Sequence, residues 1–401
     1  MLKDASAGAA PAAASVPLVP LAAASFASSA SMRIADPLLP QLSAEFQTTA
    51  ADASIVVTVF ALAYGLAQLL FGPIGDRYGK MRVIVAMLVA SAAVVSLGAF
   101  APSLGVLAVL RLAAGVAASA IIPLSMAHIG DVVPYDQRQP VLAKLMMGMS
   151  FGLVAGQALG GILGDLLGWR PLFLLLGVGF LGVALLLVRH RGSRPLQAGG
   201  AIDPLALIRL YLALLRGSAW VRAVIACVFL EGVLFFGVFA FVGAFLHDTH
   251  AMGYSAIGVI LAMFGTGGVI YAVFAGDIVR RLGQRGMVAS GGAVLALCLV
   301  VIPLVPNGWL VAPAVLVIGV GFYLFHNTLQ TNATQMAPDR RGAAVALFAS
   351  VFFLGQALGV WLVAHAIPAL GYAPPFYAAA LGLVILGLWF RLRLTRLAVA
   401  T

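Results

Sequence analysis

Long apolar runs alternate with short polar segments along the whole chain. Each run approaches or exceeds the roughly 20 residues that a helix needs to cross a lipid bilayer. Twelve such runs, called spans one to twelve, are found at 16–40, 50–72, 83–101, 104–127, 141–164, 171–188, 220–246, 254–278, 287–305, 310–336, 343–366 and 375–391. The pattern therefore predicts an all-α membrane protein with twelve transmembrane helices.

The composition excludes a water-soluble protein. The chain is 63% hydrophobic and 9% charged, whereas soluble domains have about a quarter charged residues. Lipid must therefore solvate most of its surface. Cys227 and Cys298 both lie inside spans and indicate neither a disulfide framework nor a metal site. We expect no metal and no cofactor.

The basic residues predict the orientation in the membrane. If the N-terminus is cytoplasmic, all of the 23 Lys and Arg except Arg33, Arg111 and Arg170 lie in or beside cytoplasmic segments. The positive-inside rule then predicts that both termini are cytoplasmic and that the protein is a multi-pass protein of the cell inner (plasma) membrane. The net charge of +10 follows from this topology, so no nucleic-acid partner is expected.

The first span has two interpretations. Lys3 followed by an alanine-rich run resembles a signal peptide. However, the apolar run continues past Met32, and removal of this span would invert the charge bias. We therefore predict an uncleaved first helix.

The segment 72–82, Gly-Pro-Ile-Gly-Asp-Arg-Tyr-Gly-Lys-Met-Arg, concentrates charge between two apolar runs. Its G-x-x-x-D-R-x-G-K pattern resembles the loop between helices two and three of the major facilitator superfamily of secondary transporters. In that family the Asp and Arg of this loop make contacts that latch the two halves of the protein in the outward-facing state. The resemblance implies a gating role for Gly72, Asp76, Arg77 and Gly79.

The chain also repeats itself with an offset of about 200 residues. Gly156-Gln157-Ala158-Leu159-Gly160 in span five returns as Gly355-Gln356-Ala357-Leu358-Gly359 in span eleven. Two pseudo-symmetric six-helix bundles related by a parallel repeat are the architecture of the major facilitator fold. The predicted divisions are a cytoplasmic tail 1–15, a first bundle 16–188, a cytoplasmic linker 189–219, a second bundle 220–391 and a cytoplasmic tail 392–401.

The linker contains a candidate helix. Asp203-Pro204 suits an N-cap followed by Pro at the first helical position. The leucines and arginines that follow predict either a helix on the cytoplasmic membrane surface or an extension of span seven.

Charged residues inside the first bundle indicate a functional site. Arg111 begins an R-x-x-x-G element that ends at Gly115 and resembles one of the family, although Ala114 replaces its usual Gln. Asp36 begins a D-x-x-x-P element that resembles one of the twelve-helix drug:proton antiporters. Arg33 and Asp36 share a helix face. They predict either a self-neutralising pair near the outer surface or an Arg33–Asp36–Arg111 cluster in the central cavity. Two neighbouring cations would make Asp36 a poor proton carrier unless Arg111 changes partners.

A glycine ladder in span five predicts close helix packing. Its members, spaced four residues apart, are Gly148, Gly152, Gly156 and Gly160. The ladder resembles a motif of the antiporter branch, but Gln157 stands where Pro is usual. Ordinary packing of small residues explains the glycines equally well.

Glu231 lies in the middle of span seven among apolar residues. An intramembrane carboxylate is a functional hypothesis by default, and surroundings that disfavour a permanent charge suit proton exchange. We therefore predict that proton coupling depends on Glu231, with Asp36 and Arg111. The predicted substrate cavity is lined by Arg33, Gln157, Phe235, Phe236, Tyr323, His326, Asn327 and Gln356.

These features predict a monomeric secondary transporter whose partners are protons, the lipid bilayer and a small-molecule substrate. The preferred function is proton-coupled export, by antiport, of a small amphiphilic organic molecule. The alternatives are a proton symporter that imports an organic anion or sugar, and a non-transporting membrane sensor. The chain lacks the H-E-x-x-H motif of metalloproteases and the phosphate-binding G-x-x-x-x-G-K-[ST] loop, so neither an enzyme nor direct use of ATP is expected.

Overall fold

The computed structural model describes residues 16–189 and 204–400, which contain α-helices with short 3₁₀ and π segments and no strand. The helices of the first part are α1 Leu18–Arg33, α2 Leu39–Glu45, α3 Ala50–Ala53, α4 Ile55–Tyr78, α5 Lys80–Gly98, α6 Leu104–Ser119, α7 Ile121–Val132, α8 Tyr135–Leu167 and α9 Trp169–Val188. Those of the second part are α10 Pro204–Gly217, α11 Ala219–Glu231, α12 Gly237–Phe239, α13 Val242–His250, α14 Tyr254–Val301, α15 Val311–Gln335, α16 Arg341–Leu370 and α17 Ala373–Ala400.

The helices confirm an all-α membrane fold with the predicted number of spans. In the described part of the chain, 11 helical segments are long and apolar enough to cross a membrane. One of them, Tyr254–Leu304, has 51 residues, which is enough for two crossings. The backbone of Gly283 inside it is non-helical, with φ 58°. Spans eight and nine are therefore joined through a kink at Gly283 rather than through a longer loop.

The glycines with positive φ reveal the internal repeat. Gly79 and Gly283 occupy equivalent turns of the two halves, with φ of 88° and 58°. Gly168 and Gly371 occupy a second equivalent pair of turns, with φ of 83° and 74°. Residues with a Cβ rarely adopt this conformation, so both halves keep glycine at the turns where the chain must reverse.

Helix α8 packs directly on the backbone of α1. A Cβ added to any glycine of the span-five ladder would come within 2.7 Å of a carbonyl oxygen of Ala22, Phe26, Ala30 or Ile34. This approach makes α1 an integral part of the first bundle. The second half repeats the contact, since Gly355 and Gly359 of α16 meet the carbonyls of Phe229 and Val233.

The buried side chains form two large cores. One is built mainly from residues between 21 and 187, and the other from residues between 214 and 394. We refer to these parts as the first and second halves; the exact domain boundaries remain a prediction.

The linker helix α10 is distinct from span seven. It ends at Gly217, and α11 begins at Ala219 after an extended Ser218 whose hydroxyl accepts a hydrogen bond from the Trp220 amide. The alternative in which this segment lengthens span seven is therefore wrong, because the Ser218 cap starts a new helix. The predicted N-cap Asp203 lies outside the described residues.

The halves touch closely at one end of the molecule, which carries residues 46–49 and 251–253 and is called the outer end after the orientation that the basic residues predict. There the backbone of Gly161 in α8 lies against that of Gly258 in α14, so closely that a Cβ on Gly161 would collide with the Gly258 Cα. The Ser255 hydroxyl and amide donate to Asp165 Oδ2 at 2.6 and 3.3 Å. The opposite end, which carries Gly79 and Gly283, is called the inner end.

Candidate functional site

Arg33 lies where the two halves meet. It is 3% exposed, and its Nη1 lies 3.5 Å from Asp36 Oδ2. From the second half, Gln356 Oε1 accepts from Nη2 at 3.3 Å, and the Phe236 ring lies under the guanidinium at 4.0 Å. One cation from α1 therefore contacts both α16 and the π segment Gly232–Phe236.

Asp36 is fully buried, and its Oδ1 has no hydrogen-bond partner among the described residues. The expected self-neutralising pair with Arg33 is present, but it lies at the contact between the halves rather than in water. The backbone carbonyl of Asp36 faces Gly243 of α13. The Arg33–Asp36 ion pair is thus enclosed between the first and the second half.

Arg111 completes the expected three-residue cluster only in part. It interacts electrostatically with Asp36 but forms no ion pair with it. Its Nε and Nη1 instead donate to the carbonyls of Val56 and Ser31 at 3.3 and 3.0 Å, and its guanidinium lies 4.2 Å above the Phe60 ring. The correction has a physical reason, because backbone carbonyls and an aromatic face stabilise a buried cation without a carboxylate.

Glu231 has an ionisable partner that sequence reasoning missed. His326 Nδ1 lies 2.9 Å from Glu231 Oε2. Glu231 is fully buried and its Oε1 has no partner among the described residues, whereas the His326 side chain is 15% exposed. The two residues are 95 positions apart. The only signal in the sequence was that each is a polar residue in the middle of an apolar span.

A π-helical segment, Gly232–Phe236, begins directly after Glu231. Such segments are rare and often occur at functional sites. Gly232 and Gly237 lie against the backbone of α16, which holds the segment in position. Glu231, just before this segment, is buried, and Phe236, its last residue, lies under Arg33.

Aromatic rings connect the two charged pairs. Phe236, under Arg33, packs edge-on against Phe322 and Phe352 at 5.5 and 5.6 Å between centroids. These two rings in turn contact the His326 imidazole at 5.0 and 4.7 Å. The Arg33–Asp36 and Glu231–His326 pairs are therefore separated by one apolar layer.

The remaining predicted cavity residues divide into two groups. Gln157 is 1% exposed, and neither of its amide atoms has a partner among the described residues. Tyr323 stacks on Tyr271, and its hydroxyl interacts with Ser150 of the first half. Both are at the contact between the halves. Phe235 packs inside the second-half core, and Asn327 is half-buried beside His326.

The predicted gating loop makes its ion pairs within the first half. Lys80 Nζ lies 2.9 Å from Asp76 and 2.6 Å from Asp131 at the end of α7. Arg77 contacts the ring of its neighbour Tyr78. In this conformation the ion pairs of the loop stay within the first half, so the latch expected in the outward-facing state stays a prediction.

The glycines of this loop differ in their roles. Gly79 provides the left-handed turn into α5. A Cβ on Gly72 would contact nothing within 4 Å, and the same is true of Gly276 and Gly342. All three glycines lie at the inner end, and at these positions no described part of the other half packs closely against the backbone. Among the described residues, no group of three His, Cys, Asp or Glu could hold a metal ion.

Comparison with known proteins identifies the family. Residues 21–360 match the Major Facilitator Superfamily. An uncharacterized MFS-type transporter of Bacillus subtilis (strain 168), YwfA, is 26% identical over 353 residues, which are 87% of this chain and 84% of that protein. A probable sugar efflux transporter of Mannheimia succiniciproducens is 23% identical over 354 residues, 88% of this chain and 87% of that protein.

Solved structures share the fold. A crystal structure of a mutant form of the nucleoside transporter NupG superposes with a TM-score of 0.77 at 13% identity and covers 93% of this chain and 98% of that one. A bacterial homologue of the human lysosomal transporter Spinster gives a TM-score of 0.68 at 18% identity, with 94% and 95% covered. The family match spans most of the sequence and the helical architecture agrees with it, so this chain belongs to the Major Facilitator Superfamily and is a membrane transporter rather than an enzyme.

Proposed function

We propose that the protein is a proton-coupled exporter of a small amphiphilic organic molecule, and that the Glu231–His326 pair carries the coupling proton. The observation behind this proposal is the 2.9 Å contact between these two side chains in an apolar part of the second half. A carboxylate and an imidazole at this distance can share one proton, and the partly exposed imidazole can exchange it with water.

The Arg33–Asp36 pair then links proton binding to substrate binding. Its contacts to Gln356 and Phe236 cross between the halves, so they must break when the halves move. A substrate with an aromatic or acceptor group would replace these contacts in the open state. Phe236 lies between the pair and the Phe322 and Phe352 rings beside His326, so a change at either pair displaces the same rings.

Two features support export rather than import. The glycine ladder of α8 resembles the antiporter motif, and one relative is named a probable sugar efflux transporter. The drug:proton antiporter branch, the inner-membrane location, the cytoplasmic termini and the monomeric state are parts of the same proposal. The aromatic layer suits an amphiphilic substrate.

Import of an organic anion by proton symport is the second candidate. Arg111 Nη2 and the Gln157 amide have no partners among the described residues, and both can donate to an anionic ligand. The two candidates differ in whether protons and substrate move in opposite directions or together.

The test uses inverted membrane vesicles with an imposed proton gradient, read by an internal pH-sensitive dye. The probes are a panel of aromatic cations, neutral aromatics and aromatic carboxylates, together with glucose and arabinose. We expect at least one amphiphilic probe to collapse the gradient only in vesicles that contain the protein. Proton movement in the same direction as the probe would favour the symporter, and no response to any probe would contradict proton-coupled transport of these classes.

The outer-end contact predicts a gate. Because Asp165 and Ser255 belong to opposite halves and are hydrogen-bonded, cysteines at these positions should form a disulfide on oxidation and block transport of the active probe. Reduction should restore it. The controls are the single variants Asp165→Cys and Ser255→Cys, which cannot form this cross-link and should transport at the same rate before and after oxidation. Full transport by the oxidised 165–255 pair would contradict the gate.

A further inference from the structure

Helix α10 binds the protein along one of its sides. Leu214 is 7% exposed and belongs to the second-half core, against which Tyr211 and Leu215 also pack. The Tyr211 hydroxyl donates to the Leu69 carbonyl of α4 in the first half at 3.3 Å. The helix therefore links the two halves near the inner end.

A second side of α10 is apolar and faces away from the protein. Leu205, Ile208 and Leu212 are 60%, 54% and 42% exposed. Their spacing of three and four residues puts them on one helix face. An exposed apolar stripe on a short helix outside the spans is typical of a helix that lies in the membrane interface.

Two arginines border this stripe. Arg209 and Arg216 are both exposed, and a separation of seven residues places them on the same side of the helix, two turns from each other. They line a surface groove with Leu212, Ala213 and Gly217. In the described parts of the chain, neither arginine forms an ion pair with a carboxylate.

The neighbouring Arg222 has a different task. Its Nη1 donates to the carbonyls of Leu215 and Arg216 at 3.1 and 3.3 Å. These bonds satisfy carbonyls at the C-terminal end of α10 and hold the helix against α11. Arg209 and Arg216 are thus presented on a fixed helix, with their side chains exposed.

We propose that the groove between Arg209 and Arg216 is a binding site for the headgroup of an anionic membrane phospholipid. Guanidinium groups bind phosphate oxygens in a bidentate manner, and the apolar stripe beside them provides a surface for the acyl chains. Since Tyr211 of the same helix contacts the first half, a bound lipid would hold this link at the membrane surface. Transport should therefore depend on the fraction of anionic lipid.

The test is native mass spectrometry of the full chain in detergent, with phosphatidylglycerol and phosphatidylcholine as probes. We expect preferential retention of phosphatidylglycerol. Each arginine near a membrane surface contributes about fivefold to binding of anionic lipid, so the R209Q/R216Q variant should bind it about 25-fold more weakly. Its thermal unfolding midpoint should match that of the wild type.

The control variant is R391Q/R396Q, which removes two exposed arginines from α17 at the same predicted face of the membrane. It should retain most of the phosphatidylglycerol binding. An equal loss in both variants would show general attraction to a basic surface and overturn the site. Equal binding of phosphatidylcholine and phosphatidylglycerol by the wild type would also overturn it. This readout is independent of transport and of the proposed proton coupling.

Discussion

Replacement of Glu231 by Gln is expected to abolish proton-driven accumulation of substrate. The variant keeps the size of the side chain and its capacity to hydrogen-bond His326, but it cannot bind or release a proton. The loss should be complete for uphill transport in vesicles with an imposed pH gradient. Downhill exchange of substrate without a gradient should persist, because the Arg33 site lies across the Phe322 and Phe352 rings from Glu231.

Two further variants make this result specific. Glu231→Asp should retain part of the activity with a shifted pH optimum, since the carboxylate is kept but withdrawn from His326. Glu45→Gln removes a carboxylate that is paired with Arg170 at the outer end, and it should leave the pH profile unchanged. Uphill transport by Glu231→Gln with the wild-type pH profile would show that the proton uses another group, with Asp36 as the leading candidate.

Neutralisation of Arg33 alone is expected to destabilise the protein strongly. Arg33→Gln leaves the carboxylate of Asp36 buried without its cation, and removing one partner of a buried ion pair costs about 3–5 kcal/mol. The thermal unfolding midpoint in detergent should fall and transport should be lost. The Arg33→Gln/Asp36→Asn double variant should be less damaged than the sum of the single variants, since neither charge is then left without its partner.

The matched comparison uses Arg111, which shares no ion pair with Asp36. Asp36→Asn combined with Arg111→Gln should show a much smaller deviation from additivity, because Arg111 is bound by the Val56 and Ser31 carbonyls. A larger coupling for Arg111 than for Arg33 would contradict the pairing. The comparison is made on the unfolding midpoints, because transport also depends on steps other than the stability of the pair.

The fold was largely predictable because it follows from local properties of the chain. Lipid cannot hydrogen-bond to the backbone, so each long apolar run must become a helix that satisfies its own polar groups. The repeated Gly-Gln-Ala-Leu-Gly element indicated two related halves. The predicted boundary between spans eight and nine was less accurate, because helix continues directly on both sides of the non-helical turn at Gly283.

Contacts between distant residues were less predictable. Sequence analysis selected Glu231 and His326 separately, but it contained no information on their rotation about their helix axes. The π segment after Glu231 alters that rotation by one extra residue in a turn, which no hydropathy pattern reveals. Arg111 shows the same difficulty, because its partners are backbone carbonyls that carry no signature in the sequence.

The amino-acid sequence by itself determined the helical membrane fold, the number of spans and the presence of a few charged residues inside them. These properties depend on hydrophobicity and length, which are sums over neighbouring residues. The tertiary structure decided that Arg33 pairs with Asp36 and Gln356, that Glu231 pairs with His326, and that Asp76 remains within its own half. These properties depend on the approach of helices that are distant in sequence, where a shift of a few ångströms or one residue of helical phase changes the partner of a buried charge.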